Sequence, residues 1–331
     1  MTTPLTVVTG SAGHVGGNLV RALLAEGRKV RAVIRNDTRA ITGLPLEVVK
    51  ADLLDPLSLE HAFRGADVVY HLAAQISMTG DQDGLVQAVN VTGARNVAQA
   101  AKQCHVRRLV HFSSIHAFCL HPLDQPLCED RPLVSGKRCL PYDRSKALGE
   151  SAVLEACGQG LDAVIVNPTS IIGPHDYKPS PMGLALLMLF NREMPALVDG
   201  GFDWVDVRDV VKGAMQAEKH GRTGERYLLS GHWHTFAELA DIIEKTCGIK
   251  RPRLVFPIWL AGIGAPFGEL YARLLKRRPL FTRESIQILK DSNRHISHAK
   301  ATAELGYQPR PLSETIADTF DWFKKAKMIE Q

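Results

Sequence analysis

The chain has 331 residues, 45% of them hydrophobic and 23% charged; this is ordinary globular make-up and excludes a disordered chain or a coiled coil. At roughly 100–200 residues per domain, one large or two interlocked domains are expected. Forty Lys and Arg against 35 Asp and Glu leave +5, too small an excess for a dedicated nucleic-acid binder and compatible with an anionic small ligand.

Leu5 opens a β-rich run at once, so no secretory leader is expected, and the Asn-x-Thr triplets at Asn36 and Asn90 carry no glycosylation signal. Short β-branched runs then alternate with helical patterns: Leu5–Thr9, a helix from Val15 to Glu26, Lys29–Ile34, Leu46–Lys50, a helix over Leu57–Phe63, Asp67–Leu72, a helix through Asn90–Gln103, and Arg108–Ser113. Runs such as Val68-Val69-Tyr70 suit a parallel sheet buried on both faces. The spacing therefore predicts an α/β fold with a doubly wound parallel sheet. A helix from Pro141 to Ala156 and the strand Ala163–Val166 continue the alternation, and Val205–Val207 and Arg226–Leu229 are expected to return to the same sheet.

Of the eighteen prolines, only Pro4, Pro45 and Pro56 precede residue 121. The later chain is interrupted, with helical patterns near Pro174–Phe202, Phe236–Cys247, Ile258–Leu275, Arg283–Lys290, Ser297–Leu305 and Ser313–Lys325. Residues 1–173 and 203–231 are expected to form a dinucleotide-binding unit, and 174–202 and 232–331 a smaller, mostly helical substrate-binding region. Leu254–Leu275 is broken by Pro257, Pro266, Glu269 and Arg273 and reads as buried helix, so no membrane span is expected. The run Lys276-Arg277-Arg278 reads as a solvated helix end. The six cysteines form no Cys-x-x-Cys pair, which argues against a zinc ribbon or a disulfide framework and for a reducing, cytoplasmic setting. His111, His116 and His121, and likewise His295 and His298, lack the partners of a metal site and read as surface or capping histidines.

Three groups carry chemistry. The first is Gly10-Ser11-Ala12-Gly13-His14-Val15-Gly16, directly after a strand and opening a helix. Its glycines allow a tight turn and close approach of backbone N–H groups to a pyrophosphate at the positive helix end. At the end of the second strand stands Arg35, suited to a 2′-phosphate, so NADP(H) is preferred, while Asp37 within reach of the ribose keeps NAD(H) open. Asp52 with Leu53 ends the third strand, where a carboxylate accepts from the adenine amino group. The second group is Tyr142 and Lys146, one helical turn apart on one face; the ammonium is expected to favour the phenolate and bring Tyr142 towards neutrality as an acid or base. The third is Ser113 and Ser114, at the carboxyl edge of a strand where ligands bind in open α/β sheets. Asp209 reads as a helix cap.

This ordered set, with His71-Leu72-Ala73-Ala74, Asn90-Val91-Thr92-Gly93, Asn167-Pro168-Thr169 and Gly173-Pro174-His175-Asp176, resembles the extended short-chain dehydrogenase/reductase family over nearly the whole chain. The resemblance implies Ser114 as the hydroxyl on the substrate oxygen, with Ser113 the second candidate, Tyr142 as acid/base, and Lys146 on the nicotinamide ribose. It also implies that Ala73 and Ala74 line the adenosine side, that Asn167, Pro168 and Thr169 border the nicotinamide, and that the chain forms a homodimer through the Asn90–Gln103 and Tyr142–Ala156 helices. Arg35 looks like the dihydroflavonol reductase and 3β-hydroxysteroid dehydrogenase branch. Where sugar dehydratases carry an acidic pair beside the catalytic hydroxyl, this chain has Ile115-His116, which become candidate substrate contacts. The expected activity is NADP(H)-dependent hydride transfer to or from a secondary alcohol or ketone of a hydrophobic small molecule. Val255–Leu260 and Pro181–Phe190 are expected to wall its pocket. A nucleotide-sugar epimerase with tightly bound NAD and a non-catalytic NADP(H) sensor or scaffold remain as alternatives.

Overall fold

The computed structural model describes residues 4–77, 80–81, 83–136, 139–262 and 283–329. The expected run at Lys276–Arg278 and most of the helix expected over Ile258–Leu275 lie outside them. Seven parallel strands form the central sheet in the order β10-β6-β5-β4-β1-β2-β3. They are β1 (Leu5–Thr9), β2 (Lys29–Ile34), β3 (Glu47–Lys50), β4 (Ala66–His71), β5 (Arg108–Phe112), β6 (Ala163–Pro168) and β10 (Arg226–Leu229). The order reverses between β1 and β4, and their carboxyl ends leave the crevice in which such sheets bind ligands.

The strand composition follows from burial on both faces. Val8, Val68, Tyr70, Val110, Phe112, Val164 and Val166 point into one apolar cluster, under α1 (His14–Ala25), α7 (Val207–His220) and α10 (Ala299–Leu305). Their neighbours Val7, Val69, Leu109, Ala163 and Ile165 point into the opposite cluster, under α2 (Pro56–Phe63), α4 (Gly93–Gln103) and α5 (Pro141–Gly158). At about 1.5–3 kcal/mol per buried branched side chain, this two-sided register favours apolar residues on both faces, and the polar ones it does bury, such as Thr9, His71, His111 and Asn167, lie towards the carboxyl ends of the strands. Helix starts follow local chemistry: Asp55 accepts the Leu57 and Ser58 amides ahead of α2, and Pro141 opens α5 with its φ already helical.

One strand departs from expectation. The segment around Val205–Val207 does not join the central sheet: β9 (Gly201–Asp206) lies between β7 (Ser170–Ile172) and β11 (His232–Thr235) in a separate three-stranded sheet. Trp204 on this strand belongs to a third core with α6 (Pro181–Phe190), α8 (Phe236–Cys247) and α11 (Leu312–Lys325). β7 follows β6 after the single residue Thr169. Its hydroxyl donates to Asp203 Oδ1 at 2.6 Å, and the Gly231 amide donates to the same oxygen at 2.6 Å. The cap of α7 is Asp206, whose carboxylate takes the Arg208 amide; Asp209, expected in that role, sits inside the first turn and pairs with Arg310 at 2.9 Å. Asp206 is the residue with extended backbone, which is what a cap requires.

The expected pocket walls divide. Leu186, Leu189 and Phe190 of α6 are packed into the third core, whereas Val255, Phe256, Trp259 and Leu260 are exposed. Among the described residues no helix is long and apolar enough to cross a membrane.

Candidate active site

At the end of β1, Gly10 turns the chain with φ +70°. A methyl group there would meet the Ala73 amide nitrogen at 2.6 Å, and one on Gly16 would meet the Gly10 carbonyl oxygen at 2.2 Å. The turn, the end of β4 and α1 therefore touch backbone to backbone, which only glycine permits. The start of α1 at Gly13 has no side-chain cap, and no acidic residue lies in its first turn, leaving its amides and positive dipole end for an anion. Ser11 Oγ donates to Val33 O at 3.1 Å. His14 Nε2 lies 3.1 Å from Pro174 O, which also accepts from Asn18 Nδ2 at 3.0 Å. Half-buried Val15 packs on the first core. These residues fit a dinucleotide: the cradle is too tight for any side chain and is braced from both sides.

Arg35 follows β2, is exposed to solvent and has no side-chain partner among the described residues. Asp37 is not free: Arg39 grips both its oxygens, at 3.0 and 2.6 Å, and holds its carboxyl down at about 2. Asp52, exposed, accepts the Leu54 amide at 2.9 Å, and the Leu53 carbonyl accepts from Asn96 at 2.9 Å. The Ala73 amide donates to Thr9 Oγ1 at 3.4 Å, with Ala74 next in the same half-buried loop.

The three catalytic candidates converge where β5 ends. Ser114 has extended backbone, and its Oγ accepts the His116 amide at 3.2 Å, capping the short turn Ile115–Ala117. The same hydroxyl faces Tyr142 closely enough to favour its ionised form. Lys146 reaches from α5 to donate to Phe112 O at 2.9 Å. The electrostatics differ from the expected ones. Burial, with the Asp143 charge adding to it, pushes the Tyr142 phenol up to about 12, the Ser114 hydroxyl opposing, and burial lowers Lys146 to about 8, with Glu150 opposing. Lys146 thus spends its charge on the Phe112 carbonyl and Glu150, and Tyr142 is a neutral phenol, a proton donor.

Around them, Asn167 Nδ2 donates to Ser114 O at 3.1 Å and to Glu150 Oε2 at 2.9 Å, Pro168 ends β6, and Thr169 is turned away to Asp203. Ser113 Oγ is buried without a partner. Ile115 is buried in a small cluster with Phe118, Leu127 and Leu228, away from open space. His116 stands edge-on to the Tyr142 ring, centroids 5.8 Å apart. His111 is a core residue, against the surface expectation. It lies 5.2 Å from His71 across paired strands, and burial drives both imidazoles well below their ordinary range, His71 to about 3. Among the described residues no His, Cys, Asp and Glu group is set to hold a metal.

Sequence reasoning missed two supports. Glu150, four residues beyond Lys146 and fully buried, accepts from Asn167 and Arg226; the stripe Tyr142, Lys146, Glu150 at helical spacing was its signal. Asn90, also buried, bonds both backbone groups of Gln75 and donates to Ser145 Oγ at 2.9 Å. It thereby fixes α5 against the loop that follows β4.

Comparison with known proteins places this geometry. A model of the "NAD dependent epimerase/dehydratase family" matches residues 6–230. "Sterol demethylase protein B" of Methylococcus capsulatus is 40% identical over 98% of this chain and 99% of its own. A "putative dihydroflavonol 4-reductase" of Synechocystis is 33% identical over 96% and 94%. The solved structure of gox2253 superposes with a TM-score of 0.86 at 32% identity, covering 99% of this chain and 100% of that one. The chain belongs to the NAD-dependent epimerase/dehydratase family, that is, the extended short-chain dehydrogenases/reductases, and is an NAD(P)-dependent oxidoreductase.

Proposed function

We propose that the enzyme uses NADP(H) to interconvert a secondary alcohol and a ketone on a hydrophobic small molecule, with Ser114, Tyr142 and Lys146 as its catalytic residues. The observation that carries this reading is that Ser114, Tyr142 and Lys146 come together where β5 ends, with Lys146 Nζ on Phe112 O at 2.9 Å, at the carboxyl end of the central sheet. Bound NADP(H) supplies or takes up the hydride. Tyr142 donates its proton to the carbonyl oxygen, and Ser114 steadies that oxygen. Lys146, anchored on Phe112 O, would hold the nicotinamide ribose when the cofactor is bound.

Arg35 supports the phosphorylated cofactor because it is unpaired while its acidic neighbour Asp37 is already neutralised by Arg39. The sterol and dihydroflavonol in the relatives' names support a hydrophobic ring substrate. Gly10 to Gly16, Asp52, Leu53, Ala73, Ala74 and Asn167 to Thr169 form the proposed cofactor face, and Ser113, Ile115 and His116 the start of the substrate face. In this reading residues 1–173 and 203–231 serve the cofactor and the remainder the substrate, in a cytoplasmic homodimer. Tyr142→Phe decides the mechanism: ketone reduction should vanish while NADPH still quenches tryptophan fluorescence, and retained turnover overturns it.

A further inference from the structure

His116 and Asp143 form a polar pair that the reduction itself does not use. His116 comes from the turn that Ser114 caps, and Asp143 from α5, one residue beyond Tyr142. Their facing atoms, His116 Nδ1 and Asp143 Oδ1, lie 3.1 Å apart, too far off line to hydrogen-bond, and both are buried without another partner. The side chains are 20% and 16% exposed. With Nδ1 turned to the carboxylate, the atom His116 keeps open is Nε2, which has no protein partner and is not enclosed. The ring is held in place by its edge-on contact with Tyr142 at 67° and by its own amide on Ser114 Oγ.

A half-buried imidazole with one nitrogen facing a carboxylate presents its other nitrogen to a ligand. Here the imidazole itself stands next to the two residues proposed to take the reacting oxygen: its amide is on Ser114 Oγ and its ring is against Tyr142. We propose that His116 Nε2 binds a second oxygen of the substrate, carried on the adjacent or next-but-one carbon, and that Asp143 positions it, so that the enzyme selects oxygenated ketones such as hydroxyketones over plain ones. This inference rests on the ketone-reductase reading and names its substrate class. Ile115, the preceding residue, faces the core, so His116 is the residue of this turn that meets a ligand. Sites that hydrogen-bond a substrate oxygen reject analogues lacking it more strongly than apolar pockets discriminate by size.

The test compares NADPH-dependent reduction of two matched pairs, benzoin with deoxybenzoin and 3-hydroxy-2-decanone with 2-decanone. The readout is the ratio of kcat/KM within each pair for the unsubstituted chain, His116→Ala, His116→Gln and Asp143→Asn. The ratio should favour the hydroxyketone by roughly tenfold or more, fall at least tenfold in His116→Ala, and recover in part with His116→Gln. In Asp143→Asn it should fall through KM for the hydroxyketone. General damage to the fold lowers both members of a pair together and leaves the ratio where it was. An unchanged ratio in His116→Ala, with turnover retained, overturns this assignment alone. Turnover of neither pair by a chain that binds NADPH overturns the reductase reading, and this assignment with it.

Discussion

The Lys146 ammonium donates to the Phe112 carbonyl at 2.9 Å, tying the second turn of α5 to the last residue of β5. Glu150 opposes the loss of charge that burial imposes on this lysine, and the bond fixes the height at which Tyr142, one turn earlier, stands against β5.

That charge opposes folding. Lys146 titrates at about 8 in the folded chain, against its ordinary 10.5. The unfolded chain therefore binds more protons between those values, and stability rises with pH across that window. Lys146→Met should be inactive yet stabilised at pH 7, on the order of 1–3 kcal/mol. Urea denaturation should show the gain shrinking by pH 10, and a loss of stability at pH 7 would refute it.

The same group sets the alkaline limit of activity. The phenol of Tyr142 stays protonated to about 12, so a fall in ketone reduction above pH about 8 belongs to Lys146. In pH–rate profiles at saturating substrate, Lys146→Arg should retain weaker activity with that limb moved upward, because a guanidinium does not lose its proton there.

Arg35→Glu is expected to weaken NADPH about 10- to 100-fold while leaving NADH no weaker, as lost charge-assisted bonds to a phosphate require. Since Arg35 is exposed and has no side-chain partner among the described residues, the melting temperature should not move. Fluorescence titration with both cofactors reads the ratio; tighter NADH binding by the unsubstituted chain would turn the assignment toward an epimerase with resident NAD.

Glu150→Ala should destabilise the protein by about 3 kcal/mol, because it strands Arg226 and one donor of Asn167 in a buried setting. Loss of the Asn167 brace frees the Ser114 carbonyl, so kcat should fall as well. Denaturant midpoints and steady-state rates on the same preparation separate the two effects.

The central sheet was legible because β-branched runs bounded by turns report burial on two faces, and the proposed site because glycines, strand-end serines and a one-turn Tyr–Lys spacing are local patterns that the fold brings to one sheet edge. What was not legible depends on partners distant in sequence. Nothing within Gly201–Asp206 says that its neighbours are Ser170–Ile172 and His232–Thr235 and not β10. Asp206 and Asp209 both precede or open a helix, and only the backbone angles separate cap from first turn. The phenol of Tyr142 was expected to fall because its neighbour in sequence is a lysine. Burial, which comes from the whole fold, outweighs that neighbour once the lysine has found the Phe112 carbonyl.

The single-residue junction between β6 and β7 makes the two sheets one uninterrupted lever. Thr169 is bonded to Asp203 of the three-stranded sheet, and Asn167, two residues earlier, holds the Ser114 carbonyl. In the proposed reductase reading, contacts made on that sheet by the far end of a substrate bear, through three consecutive residues of backbone, on the hydroxyl assigned to the reacting oxygen. Truncated substrates should therefore lose rate and not merely affinity.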